Sequence, residues 1–215
     1  MRRPGDNLVL LKQLKRVLPP RRQTLPIFPL NTVLFPGGVL PLKVFETRYM
    51  DMAKTCLKDD TTFGVCLIRE GSEVGAPAVP EIIGCTTRIA DWDMEQLGVL
   101  QLRTLGEDRF RIFESHDNGK GLLIADIETI ATEEDPALPQ QFASCADLVR
   151  RVIESVGEAA FAKPYRFDSA SWIGYRLSEF LPIKIAARQK LMELSDPIAR
   201  LNVLVQFLTQ KGLIR

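Results

Sequence analysis

An α+β fold, a curled sheet or small barrel followed by a set of helices, is predicted by three features of the sequence. Before about residue 131, short runs of β-type residues alternate with turn chemistry; after it, apolar residues recur at three- and four-residue spacing. The two regimes meet in Glu133-Glu134-Asp135-Pro136 to Pro139, a charged, proline-bearing stretch that reads as a linker. The 215 residues, 46% of them hydrophobic, suffice for one large domain or two small ones packed together. The reading divides the chain into a basic extension (1–24), a β-domain (25–131), a linker (132–139) and a helical bundle (140–215).

Leu25-Pro26-Ile27-Phe28-Pro29-Leu30 is extended, because two prolines forbid helix and favour an edge strand. Val33-Leu34-Phe35 runs into Pro36-Gly37-Gly38, a turn in which proline fixes φ and glycine accepts positive φ. Val39 to Val44 resumes the extended form. Glu46 to Leu57 is a helix, with Tyr49, Met50, Ala53, Cys56 and Leu57 at helical spacing. Thr62 to Arg69 is apolar at successive positions, the mark of a strand buried on both faces. Glu70 to Pro80 is a loop. Strands follow at Ile82–Trp92, Gly98–Leu105, Asp108–Asp117 and Leu122–Thr129, with Asn118-Gly119 as a hairpin signal. Their lengths suit a small barrel rather than a parallel βαβ sheet. About four helices complete the chain: Gln140–Ser155, one capped by Asp168 or Ser169 and running to Phe180, Pro182–Leu194, and one opened by Ser195-Asp196-Pro197 and ending near Gly212.

The net charge of +1 hides an uneven distribution. Residues 1–24 hold seven Lys/Arg against one acid, giving +6, so the remainder carries −5. A mildly acidic body is a poor match for a polyanion. Leu8, Leu11, Leu14 and Leu18 lie at helical spacing among Lys12, Lys15 and Arg16. That pattern fits a basic amphipathic helix; a loosely ordered extension is the simpler reading. Leu8-Val9-Leu10-Leu11 is too short for a signal-peptide core. No apolar run approaches the roughly 20 residues needed to span a bilayer. The cysteines, Cys56, Cys66, Cys85 and Cys145, form no C-x-x-C pair, and reduced thiols in the cytoplasm are the expectation. The single histidine, His116, sits by a turn; no metal site and no cofactor are expected.

Catalytic patterns are equally sparse. G-x-S-x-G, Walker A, H-E-x-x-H and G-x-G-x-x-G are all missing. Asp91 with Asp93, and Glu133 with Glu134, are read as solvated surface acids. Arg103, Arg109 and Arg111 cluster around Phe110 and Phe113. Strand alternation puts Arg109, Arg111 and Phe113 on one face, with Phe110 and Ile112 on the other. An Arg-bearing solvent face over a Phe/Ile core face is the plain reading; a nucleic-acid face built on Arg103, Arg109 and Arg111 is the alternative.

The segment LPIFPLNTVLFPGGVLPLKVFETRY, Leu25 to Tyr49, resembles the opening signature of the Lon protease N-terminal domain family. The residues that carry the resemblance are Leu34-Phe35-Pro36-Gly37, Leu40-Pro41-Leu42 and Phe45-Glu46-Thr47-Arg48-Tyr49. Phe63-Gly64-Val65, Ile83-Gly84-Cys85-Thr86-Thr87-Arg88-Ile89 and Gly106-Glu107-Asp108-Arg109-Phe110-Arg111-Ile112 are similar to later family strands. The resemblance, looser in the helical part, implies a PUA-like curled β-barrel domain followed by a C-terminal helical bundle. It also implies a non-catalytic module that engages unfolded polypeptides or a protein partner. The sequence ends at Arg215 without the ATPase and Ser-Lys protease domains of full Lon proteases, so a stand-alone relative is expected. Phe35, Phe45 and Tyr49 are the candidates for substrate contact, set against a fold-holding role, since aromatic stripes usually pack in cores. An exposed apolar patch between the β-domain and the helices is expected. The alternative is an RNA-binding PUA-like protein using the basic tail and the Arg face. A small-molecule pocket or enzyme has no residue set to support it.

Overall fold

The computed structural model describes residues 21–76 and 78–214. The tail leucines therefore lie outside the described residues, as does nearly all of the basic extension. Seven strands and five α-helices are present among the described residues: β1 (Arg22–Leu30), β2 (Val39–Val44), α1 (Thr47–Asp59), β3 (Phe63–Glu70), β4 (Val79–Pro80), β5 (Ile83–Gln96), β6 (Val99–Asp117), β7 (Leu123–Thr129), α2 (Ala143–Val156), α3 (Ala170–Phe180), α4 (Ile185–Glu193) and α5 (Pro197–Gln210). The fold is α+β, as the sequence predicts.

Five strands close into a ring. The order runs β1-β7-β6-β5-β3, and β3 pairs back onto β1 in parallel, Ile27 opposite Gly64. Closure removes the edges that a small open sheet would expose. Leu25, Ile27, Cys66, Phe110, Leu123, Ala125 and Ile127 pack on one another with no helical residue among them, which places them inside the ring. Phe28, Leu30, Phe63, Val65 and Cys85, on the opposite strand faces, pack with Tyr49, Met52, Ala53 and Cys56 of α1. β3 is thus buried on both sides, which explains its unbroken apolar run.

The structure differs from the sequence reading at three places. First, Arg22, Gln23 and Thr24, assigned to the extension, are ladder residues opposite Glu128, Ile127 and Asp126. Second, the two strands read at 98–105 and 108–117 are one strand, β6. Gly106 lies inside the strand. A Cβ there would lie 2.3 Å from the Phe35 carbonyl, and its backbone exchanges hydrogen bonds with the Pro36–Gly38 turn: Gly37 N to Gly106 O, 2.8 Å, and Gly106 N to Gly38 O, 2.9 Å. The glycine is there for close backbone approach. Third, Pro182 lies outside α4, which begins at Ile185.

Over Val99–Leu105 the sheet continues outside the ring. β2 pairs with β6 there, from Val39 opposite Leu105 to Val44 opposite Leu100, and β5 flanks the other side to Gln96. The four later helices share a core around Phe142, Val149, Ile173, Leu177, Leu201 and Leu208, into which Val33, Phe35, Leu67 and Ile83 of the sheet region also pack. Ser169 caps α3, its Oγ accepting from Trp172 N at 2.9 Å. Asp196 caps α5, its Oδ1 accepting from Ile198 N at 2.8 Å and Ala199 N at 3.1 Å. Among the described residues no helix is long and apolar enough to cross a membrane.

Candidate functional site

One end of the β-structure is fastened to the helices by buried charge. Glu133 accepts both branches of Arg200, Nη1 to Oε1 at 2.8 Å and Nη2 to Oε2 at 2.7 Å. It also accepts the Tyr175 hydroxyl at 2.8 Å and the Ser171 hydroxyl, and Arg109 Nη2 stands 3.6 Å away. The side chains of Glu133, Arg109 and Arg200 are 5%, 3% and 0% exposed, so the network is shielded from water. Arg109 also donates to the carbonyls of Met192 and Leu194, each at 2.9 Å. Glu133 is therefore a correction to the reading of surface acids: it is an interior hub. The stretch read as a linker is pinned a second time, with Asp135 accepting from Ser169 Oγ at 2.5 Å and from Ser171 N at 3.2 Å.

A second latch uses Arg176 of α3. Its guanidinium donates to the carbonyls of Gly37 and of Pro36, the latter at 2.9 Å, and pairs with Glu179 at 2.8 Å. Gly38 leaves room for Glu179, since a Cβ there would sit 2.2 Å from the carboxylate. Burial pushes the Glu179 carboxyl up to about 7 from its ordinary 4.5, against the pull of Arg176 and Arg188. A carboxyl whose folded pKa is raised binds more protons in the folded state. Its contribution is therefore present below about 4.5 and is lost as pH rises to about 7. Glu179→Gln is expected to flatten the stability-against-pH curve over that window, by up to about 3 kcal/mol. Chemical denaturation at several pH values checks this; parallel curves for the two proteins would contradict it.

Between the sheet and the helices lies a cleft of about 320 Å³ lined by Pro36, Ile130, Trp172 and Tyr175, with Lys163 and Arg166 at hand. Its lining includes Arg109, Glu133 and Asp135, which are already engaged. Large exposed apolar side chains are spread over the surface, Ile82, Phe113, Val156 and Val203 among them, and several lie toward one end of the sheet. At the far end of the sheet, where Val44 registers with Leu100 and the chain turns at Leu97-Gly98, Phe45 is 58%, Trp92 54% and Leu97 94% exposed. Met94 is exposed beside them. A groove of about 260 Å³ opens at this end, with Phe28, Leu30 and Tyr49 in its lining together with β2, Phe45 and Val74.

The residues singled out in the sequence are thus dispersed. Phe35 is fully buried in the helix-facing core, its ring 5.7 Å from that of Tyr175. Tyr49 is 4% exposed and stacks on Phe28 at 3.9 Å, though it lines the groove. Phe45 alone of the three is a surface side chain. The Arg face does not assemble: Arg109 is buried on helix carbonyls, Arg103 donates to the Ala159 carbonyl at 3.3 Å, and only Arg111 is fully exposed. Arg109 keeps the face that alternation assigns it, opposite Phe110, and is buried because the helical layer covers this stretch of β6. Trp92, Met94 and Leu97 were missed. The available signal was three large apolar residues among acids next to a glycine turn, where a hairpin tip cannot bury them.

The model of the ATP-dependent protease La (LON) substrate-binding domain matches residues 24–210. The chain belongs to this family. Lon protease 2 of Myxococcus xanthus is 27% identical over 207 residues, covering 88% of this chain and 24% of that protein. The chain spans about a quarter of the length of the Lon proteases it matches. A crystal structure of a Lon N-terminal domain protein from Xanthomonas campestris superposes with a TM-score of 0.71 at 34% identity, covering 86% of this chain and 98% of that one. The N-terminal domain of a Mycobacterium avium complex Lon protease superposes with a TM-score of 0.61 at 16% identity, a likeness of fold.

Proposed function

We propose that this Lon-type domain is a non-catalytic module that binds unfolded polypeptides or a protein partner through the far end of its sheet. The observation that carries the reading is that Phe45, Trp92 and Leu97 are all exposed toward one end of the sheet, with Leu97 at 94% exposure. Exposed aromatic and aliphatic side chains gathered at one end of a domain mark interaction surfaces, whereas single ones scattered over the surface do not. The opposite end supplies the contrast: its charges are paired and buried, and it serves to hold the helices. All four cysteines are buried and unpaired, and burial raises the thiol pKa of Cys66, Cys85 and Cys145. That supports inert packing thiols and a reducing compartment such as the cytoplasm.

Trp92→Ala and Leu97→Asp are each expected to weaken binding of a labelled, permanently unfolded polypeptide by about tenfold or more. Both sites are exposed, so the melting temperature should stay unchanged. Fluorescence anisotropy with wild type and both variants makes the comparison. Equal affinity for all three would move the binding surface elsewhere.

A further inference from the structure

We infer that an extended client segment binds by adding a strand to the free edge of β2, an inference that rests on the polypeptide-binding reading. β2 pairs with β6 on one side, and among the described residues its other edge has no strand partner from Val39 to Val44. The groove beside it is lined by consecutive residues of β2, Leu40, Pro41, Leu42, Lys43 and Val44. Successive side chains of a strand point to opposite faces, so a groove lined by both sets runs along an edge and exposes backbone. Across it stand Thr32, Glu73 and Val74.

The orientation of the edge follows from one hydrogen bond. Thr104 Oγ1 donates to the Leu40 carbonyl at 2.9 Å, which turns the Leu40 backbone toward β6. Backbone groups alternate along a strand, so Val39, Pro41 and Lys43 turn outward. Pro41, which has no N–H, occupies an outward position where β6 loses nothing. The edge therefore offers the N–H and C=O of Lys43 and the C=O of Val39 and Pro41, the Val39 N–H being turned to the Gly38–Phe161 bridge. Proline also blunts it against pairing with another copy over its whole length. The molecule already uses the start of this edge: Gly38 forms an antiparallel bridge with Phe161 from the helical part. A client strand continues that line, with an apolar side chain in the groove against Phe45 and Val74. Main-chain hydrogen bonds give affinity with little sequence demand, which suits a binder of unfolded chains.

The test uses the full chain and reduced, carboxymethylated α-lactalbumin as the unfolded probe. Lys43→Pro repeats the chemistry of Pro41 at the next outward position and removes one N–H without touching Phe45, Trp92 or Leu97. It is expected to weaken binding about tenfold, while Lys43→Ala does not, and thermal melting reports that the variant is folded. Independently of any variant, hydrogen exchange at the Lys43 amide should slow severalfold on adding the probe to wild type. Binding by wild type without that protection overturns strand addition and leaves the polypeptide-binding reading standing. No binding by wild type removes both.

Discussion

Glu133→Ala is expected to destabilise the protein by about 3–5 kcal/mol, the largest single effect of a charged residue in this fold. The carboxylate is 5% exposed and holds Arg200, itself 0% exposed, through two hydrogen bonds. Removing it leaves a guanidinium in the interior with no counter-charge at bonding distance, and a second, Arg109, loses its neighbour at 3.6 Å. The hydroxyls of Ser171 and Tyr175 lose their acceptor as well. Most of the cost is the orphaned charge rather than the strength of the pair. A double variant, Glu133→Leu with Arg200→Met, should therefore be more stable than Glu133→Ala alone. Urea unfolding gives both numbers through the shift in midpoint at constant slope. A double variant worse than the single one would show that the network stabilises through its bonds and not through charge balance.

Gly64→Ala is expected to cost about 2–3 kcal/mol, and Phe110→Leu to recover part of that loss. An added Cβ at Gly64 would meet only side chains, Ile27 Cδ1 at 2.6 Å, Phe110 Cζ at 2.7 Å and Leu25 Cδ1 at 3.0 Å. Shortening Phe110 gives that methyl somewhere to go. Gly84 provides the internal control. A Cβ there would meet Phe110 Cζ at 2.6 Å but also the Val65 carbonyl oxygen at 2.6 Å. Backbone cannot step aside, so Phe110→Leu should not rescue Gly84→Ala. Two double-mutant cycles measured by thermal or urea unfolding decide this: coupling at 64 and little at 84 is the expected pattern. Equal coupling at both sites would mean that the ring relaxes as a unit.

The sequence was most legible where one residue type has one physical use. Pro26, Pro29, Pro36 and Pro41 marked extended chain and turn, and the Ser169 and Asp196 caps fell where α3 and α5 begin. The apolar run of β3 disclosed burial on both faces. What could not be read depended on contacts across the fold. The break between Leu105 and Asp108 falls inside β6, because a close approach of two backbones at Gly106 leaves no local trace. Glu133 looked like surface charge because the partners that bury it lie 24 to 67 residues away, at Arg109 and Arg200. Arg176 sits at i+4 from Trp172, on the apolar stripe of α3, and a charged residue there signals an interior partner, in this case the Pro36-Gly37 carbonyls. Phe35 and Tyr49 carried the family signature and proved to be interior side chains, whereas Phe45 stands at the surface. A motif that recurs across a family records what the fold needs as readily as what it binds.

Unfolded chains are proposed to bind this Lon-type domain through the far end of its sheet. The most direct measurement is an anisotropy titration of the purified protein into labelled, carboxymethylated α-lactalbumin at physiological salt. Saturable binding is expected, competed away by other unfolded chains but not by folded proteins. An anisotropy that stays flat to high micromolar protein would contradict it.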